Sequence, residues 1–208
     1  AREGAPHSQI HLVGNIMIDS LARFQGEALR RNTAAKFGLG DYGFVTLHRP
    51  SNVDSPGDLK ALMALFERLS SHLPLVFGVH PRTRKRLDEL GSQARSDTRL
   101  YLSDPFDYLD SICLQKNATL VLTDSGGMQE ETSWLGVPCI TLRSNTERPV
   151  TVEEGTSFLV GNKPEAIEAA FHRILMGGGK APKPIPLWDG RAAGRIVDCL
   201  ERRFTGPT

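Results

Sequence analysis

Short apolar runs alternate with stretches of helical periodicity along most of this chain, and that rhythm limits its fold more than any other feature. The runs Tyr42 to Leu47, Leu73 to Val79, Arg99 to Leu102, Leu120 to Thr123, Cys139 to Leu142 and Ser157 to Val160 read as strands. Asp58 to Leu69 places Leu59, Leu62, Met63, Leu65, Phe66 and Leu69 on one broad face, the spacing of a helix lying on a core. Further helices are expected from Met17 to Phe37, closed by Gly38 and Gly40, from Arg82 to Leu90, stopped by Gly91, and from Pro105 to Gln115, with Ser103 or Asp104 as cap. Met128 to Leu135, Pro164 to Met176 and Gly190 to Arg203 complete the set, with Lys180 to Pro186 as a proline-rich extended connection. Short apolar strands joined by helices pair in parallel and are buried on both faces. The expected fold class is α/β, a parallel sheet with helices on both faces. Ligands in such a sheet collect at the C-terminal ends of strands.

Composition narrows the partners. The chain has 208 residues, 25 basic against 24 acidic, for a formal charge of +1. That balance leaves no basic stripe for nucleic acid and no polybasic membrane patch. No signal peptide or membrane span is visible, so the cytoplasm is the expected compartment. Cys113, Cys139 and Cys199 share neither metal-ligand nor disulfide-framework spacing, as expected under reducing conditions, and Cys113 and Cys139 are expected to be buried thiols. Ala1 to Gln9 are polar and unpatterned, and Ile10-His11-Leu12-Val13-Gly14-Asn15 reads as a last strand and exit turn. The expectation is a fragment: residues 1–13 a tail and the end of a preceding element, residues 14–208 the folded domain.

The richest chemistry lies in Leu122-Thr123-Asp124-Ser125-Gly126-Gly127-Met128-Gln129-Glu130-Glu131. A strand that turns sharply into a helix presents unpaired N–H groups and a positive dipole end, a seat for phosphate. Gly126 and Gly127 let an anion approach the backbone, and Ser125 adds a hydroxyl. Glu130 and Glu131 stand too near that seat to be phosphate ligands; one of them suits neutral hydroxyls such as a ribose diol. No glycine stands two residues before Ser125, so the serine-hydrolase elbow is not matched and Ser125 is an anion donor. No histidine or carboxylate spacing suits a metal.

Other strand ends are polar too. His48 and Arg49 follow the strand ending at Leu47. They read either as a polar turn with Pro50 and Asn52 or as a phosphate and proton-transfer pair, since imidazole exchanges a proton near neutral pH. His80, before Pro81, reads as a loop cap or as a binding contact. Phe106 reads as helix packing or as a wall for a base. His7, His11, His72 and His172 have no ligand-type partner and are expected on the surface or in packing. In Leu142-Arg143-Ser144-Asn145-Thr146-Glu147-Arg148-Pro149, Arg143 or Arg148 is expected to fold over the Ser125 seat, because a diphosphate needs more than backbone dipoles.

Taken in order, Val13-Gly14-Asn15 with Ile18-Asp19, Thr46-Leu47-His48-Arg49, His80-Pro81, the Thr123 to Glu131 segment, Gly136-Val137-Pro138, Arg143 with Thr146-Glu147-Arg148-Pro149, and Gly155 with Leu159-Val160-Gly161 resemble the C-terminal domain of the non-hydrolysing UDP-N-acetylglucosamine 2-epimerases. The resemblance covers nearly the whole chain. It implies a Rossmann-like domain forming the C-terminal half of a two-domain GT-B type enzyme, with the N-terminal domain missing here. It further implies that Ser125, Gly126 and Gly127 hold the diphosphate of a UDP-sugar and that Glu131 takes the ribose hydroxyls. The stretch near Phe106 would line the uracil pocket, while His48 and Arg148 would reach phosphates or sugar as the catalytic pair. Arg49, His80 and Arg143 complete the expected binding set. The family reaction eliminates UDP to a 2-acetamidoglucal and adds it back with inversion at C2, using neither NAD nor metal, and the C2 acid/base carboxylates come from the N-terminal domain. UDP-N-acetylglucosamine acts as allosteric activator in bacterial members, and full-length members are usually dimers.

One departure touches the substrate. Many members carry Arg-Glu-Asn-Phe after His-Arg, whereas this chain has Pro50-Ser51-Asn52-Val53, the form of a subgroup. A 2,3-diacetamido uronic acid derivative is therefore an alternative sugar. A GT-B glycosyltransferase and a hydrolysing 2-epimerase are alternative enzymes, and a binding-only regulatory module is the non-enzyme alternative.

Overall fold

A computed structural model describes residues 4–91 and 97–204. Of the expected tail, residues 1–3 lie outside the described residues, and so do residues 92–96 and 205–208 of the expected domain. Six parallel strands form one sheet: β1 (Gly43–Thr46), β2 (Leu75–Gly78), β3 (Leu100–Ser103), β4 (Leu120–Thr123), β5 (Cys139–Thr141) and β6 (Ser157–Leu159). Their spatial order is β3-β2-β1-β4-β5-β6. The chain winds outward from β1 to one edge, returns, and winds from β4 to the other. β1 and β4 are the neighbours at which the direction reverses, and the crevice outside their C-terminal ends is where a doubly wound sheet takes its ligand.

Both sheet faces are covered, which explains why the strands read as continuous apolar runs. Val45, Leu75, Phe77, Leu120, Leu122 and Ile140 pack on one face against α3 (Pro56–Ser70) and α8 (Pro164–Leu175). Phe44, Val76 and Val121 point the other way, toward α1 (Ile16–Arg30), α5 (Tyr108–Asn117) and α6 (Gly126–Leu135). The period of two splits β1, β2 and β4 between two cores. The remaining helices are α2 (Pro50–Val53), α4 (Pro81–Glu89), α7 (Pro149–Glu153) and α9 (Ala192–Phe204). No helix among the described residues is long and apolar enough to cross a membrane. Cys113 and Cys139 are buried and all three cysteines are free.

Several boundaries differ from the sequence reading. The long first helix stops at Arg30; Asn32 takes a left-handed φ of 48° and Thr33–Phe37 form a separate 3-10 turn. The fifth helix starts at Tyr108 rather than Pro105, and Asp107, not Ser103 or Asp104, caps it by accepting from the Asp110 N–H at 2.8 Å. Asp107 also holds Arg31, so the cap lies three residues beyond the expected Asp104 and is tied to the end of α1. The last helix starts at Ala192, where Asp19 of α1 accepts from the Ala192 and Ala193 N–H groups. Residues 10–15 carry no strand pairing. Two loops conceal short helices, α2 and α7, each opened by a proline at its first position, where the missing N–H costs nothing.

Candidate functional site

β4 ends in Thr123, and Asp124 and Ser125 make the turn into α6. Ser125 is the N-cap of α6: its Oγ accepts from the Met128 N–H at 3.4 Å, while its own N–H donates to Thr123 Oγ1 at 3.0 Å. The Gly126 and Gly127 N–H groups fall in the first helical turn, which has no intrahelical acceptor for them. A Cβ built on Gly126 would meet no atom within 4 Å, so the backbone at this turn is uncrowded on that side. The dipole of a ten-residue helix adds positive potential at the same point. An anion fits here without any lysine.

Across the crevice, β1 delivers His48 and Arg49, and a buried carboxylate locks them to β4. Asp124 is fully buried and accepts from the His48 N–H at 3.2 Å, the Arg49 N–H at 2.9 Å, Asn52 Nδ2 at 3.0 Å and His48 Nδ1 at 3.0 Å. Burial pushes the Asp124 carboxyl up, and these hydrogen bonds, the His48 ring first, outweigh it and hold it below the usual value. The His48 ring thus gives Nδ1 to Asp124 and keeps Nε2 for the crevice. Asp124 and Asn52 were not among the residues assigned a role from the sequence. The signal was there: an aspartate directly after a fully buried strand needs partners for its charge.

His80 caps α4, its Nδ1 accepting from the Arg82 N–H at 3.2 Å. Its ring also stands 5.7 Å from that of His48, so the cap and the crevice wall are one residue. Phe106 packs edge-on to Phe44 at 5.9 Å. His48, His80, Phe106, Ser125 and Met128 together line a pocket of about 200 Å³, which joins the strand ends of β1, β2 and β4. A larger groove of about 460 Å³ lies between Trp134 and residues 182–189. Its charged groups, Lys183 and Asp189, are already paired with Glu154 and Arg195, and none of its walls belongs to a strand or the turn after one. The smaller pocket is the candidate site.

The arginines are anchored rather than free. Arg143, expected over the Ser125 seat, is 8% exposed and makes a two-pronged bond to Glu147 at 2.7 and 2.8 Å. The Arg143 bond pulls Glu147 down to about 2. Arg49 donates Nε to the Asp124 carbonyl at 3.2 Å. Arg148 reaches α6 and bonds Glu130 at 2.7 Å. Burial raises Glu130 in spite of that contact. Glu131 is 6% exposed and accepts from Gln115 Nε2 at 2.8 Å; burial raises its carboxyl as well, and the neighbouring Glu130 adds to the rise. His72 and His172 meet edge to face at 4.8 Å, away from the crevice residues.

The fold defines a Rossmann-like α/β domain with a polar crevice at its switch point. A protein-family model described as UDP-N-acetylglucosamine 2-epimerase matches residues 1–201, and the chain belongs to that family. It is 40% identical to the UDP-N-acetylglucosamine 2-epimerase of Methanocaldococcus jannaschii, over 96% of this chain and 56% of that protein. The crystal structure of the M. jannaschii enzyme in complex with UDP-GlcNAc and UDP superposes with a TM-score of 0.84 at 38% identity, covering 96% of this chain and 56% of that one. A UDP-2,3-diacetamido-2,3-dideoxy-D-glucuronate 2-epimerase of Pseudomonas aeruginosa is 35% identical over 83% of this chain and 50% of its own length. The chain therefore spans little more than half the length of the relatives it matches.

Proposed function

We propose that this chain is the C-terminal, nucleotide-holding half of a two-domain GT-B enzyme that interconverts UDP-N-acetylglucosamine and UDP-N-acetylmannosamine. The observation that carries the reading is the crevice between β1 and β4, where open helix N–H groups face an imidazole fixed by a buried carboxylate. The diphosphate lies on the Gly126 and Gly127 amides and the Ser125 hydroxyl, the uracil against Phe106, and the ribose diol near Glu131. Arg49, His80 and Arg143 shape the surrounding wall.

Elimination breaks the C2–H and C1–O bonds and leaves a C1=C2 double bond, with the electron pair on the departing β-phosphate oxygen. Charge grows on that oxygen in the transition state. N–H donors already in place stabilise it without reorganising, and Arg148 and His48 Nε2 add to them. UDP held on the same surface adds back as an intramolecular reactant. The C2 proton goes to a carboxylate of the N-terminal half and returns on the opposite face, so this chain alone binds UDP and does not epimerise. The full enzyme works as a cytoplasmic homodimer.

Two measurements test the reading. UDP titrated into this chain should bind saturably. The enzyme completed with its N-terminal half should interconvert the two UDP-sugars with no acceptor present. Inertness until an acceptor is added would instead mark a glycosyltransferase, and release of free N-acetylmannosamine a hydrolysing enzyme. The P. aeruginosa relative and the Pro50-Ser51-Asn52-Val53 turn support a second reading, with a UDP-diacetamido uronic acid as substrate. Preference for that sugar in direct competition would select it.

A further inference from the structure

We infer that Gln129, a residue with no exposure to the crevice, is the positioning residue that sets Arg148 at a fixed distance from the diphosphate seat. The inference rests on the reading of Ser125 and Arg148 as diphosphate contacts. Gln129 is fully buried one turn into α6. Its Nε2 donates to the Ser125 carbonyl at 3.2 Å, and its Oε1 accepts from Thr146 Oγ1 at 2.8 Å. Thr146 Oγ1 in turn accepts from the Arg148 N–H at 3.0 Å. A single directed chain of hydrogen bonds thus runs from the Arg148 backbone through a hydroxyl and a carboxamide to the Ser125 turn.

The direction of this relay is not arbitrary. The Ser125 carbonyl can only accept, so the amide nitrogen must face it and the amide oxygen must face Thr146. Thr146 has one proton to give and gives it to Gln129, which leaves its lone pairs for Arg148. Thr151, in α7, adds a weaker contact to the same Gln129 oxygen at 3.5 Å and bonds the Arg148 carbonyl at 2.8 Å. The neighbouring Glu130 takes the Arg148 guanidinium at 2.7 Å. Adjacent residues of one helix therefore hold Arg148 at both ends, Gln129 through the main chain and Glu130 through the head group. When a diphosphate draws the guanidinium away from Glu130, the main-chain holds remain: Thr151 on the Arg148 carbonyl, and the Gln129 relay, which alone ties the Arg148 N–H side to the Ser125 turn. Without that relay the 146–148 turn loses its register to α6, and the arginine samples positions that do not reach the anion.

A double-mutant cycle read by calorimetric UDP titration and by melting temperature tests this. Gln129→Met keeps the shape and removes the relay. Thr146→Val, at a half-exposed position, cuts the same relay without touching the helix core. Each should weaken UDP binding about tenfold in the wild type and less than about twofold in an Arg148→Ala background, because the residues act as one unit. A purely structural role would lower the melting temperature and weaken UDP equally in both backgrounds, which overturns the inference. Unchanged UDP affinity in Thr146→Val overturns it even if Gln129→Met does not fold. If Arg148→Ala alone binds UDP as tightly as wild type, the parent reading of Arg148 fails and this one with it; if Arg148→Ala weakens UDP but the cycle is additive, only this inference fails.

Discussion

Asp124→Asn is the sharpest probe of the crevice, because the substitution preserves shape and removes only charge and one acceptor. Its new NH2 group is least costly facing the His48 ring, which can change tautomer and accept through Nδ1. The remaining oxygen still faces the Arg49 N–H at 2.9 Å and Asn52 Nδ2 at 3.0 Å, with the His48 N–H at 3.2 Å. Each of these three bonds passes from a charged to a neutral acceptor, a loss of about 1 kcal/mol apiece, so the variant should be about 3 kcal/mol less stable near neutral pH. That is a large share of the roughly 5–15 kcal/mol that holds a domain together. The pH dependence follows from the lowered Asp124 pKa: its contribution is present above the unfolded carboxyl value of about 4 and is lost as pH falls through the folded value. A protonated Asp124 resembles the asparagine, so the gap between the proteins should close in acid. Urea unfolding followed by Trp134 and Trp188 fluorescence at several pH values measures it. A difference below about 1 kcal/mol at neutral pH, or one that stays constant into acid, would refute the argument.

Three further outcomes are expected. Glu131→Gln should stabilise the fold near neutral pH by about 1 kcal/mol, because burial raises the native carboxyl; its favourable share is present below the unfolded value and lost as pH rises through the folded one. Thermal melts should show the gain vanishing in acid, while UDP affinity falls if Glu131 takes the ribose hydroxyls as proposed, since a neutral amide replaces the carboxylate acceptor. Gly155→Ala should destabilise by about 1–3 kcal/mol, since its Cβ would lie 2.3 Å from Ser133 Oγ and 2.6 Å from the Thr151 carbonyl; an unchanged melting temperature would contradict that packing. Gly78→Ala would place a Cβ 2.9 Å from Phe106 Cδ2 and push that ring into the pocket, so UDP should bind several-fold more weakly at a stability cost of about 1 kcal/mol; equal UDP affinity would remove Phe106 from the base site.

Much of the architecture was legible because local rules and tertiary packing agreed. All six strands lie within a residue or two of their apolar runs, since β-branched and other apolar residues dominate each run and glycine, proline or polar turn residues bound it. The short α2 and α7 are not legible in the sequence, because a helix of four or five residues shows no periodicity and only Pro50 and Pro149 mark their starts. Among the candidate residues, Ser125, Gly126 and Gly127 could be found from a strand running into a glycine pair. Gln129 could not, since a buried glutamine one turn into a helix looks like any polar helical residue until its partners at 146 and 151 come into view.

What the amino-acid order decided alone is the succession of elements and the chemical character of each strand end, because those depend on neighbours within one helical turn or one pleat. Which ends meet was decided only when the sheet closed. The reversal at β1 and β4 puts His48 beside Asp124, 76 residues apart in the chain, and turns a polar loop and a glycine turn into one crevice. The arginines show the same division: Arg143 finds Glu147 within its own loop, whereas Arg148 is turned by Glu130 of α6. Buried charge has to be satisfied by whatever the fold brings within about 3 Å, and that distance is set across the sheet rather than along the chain.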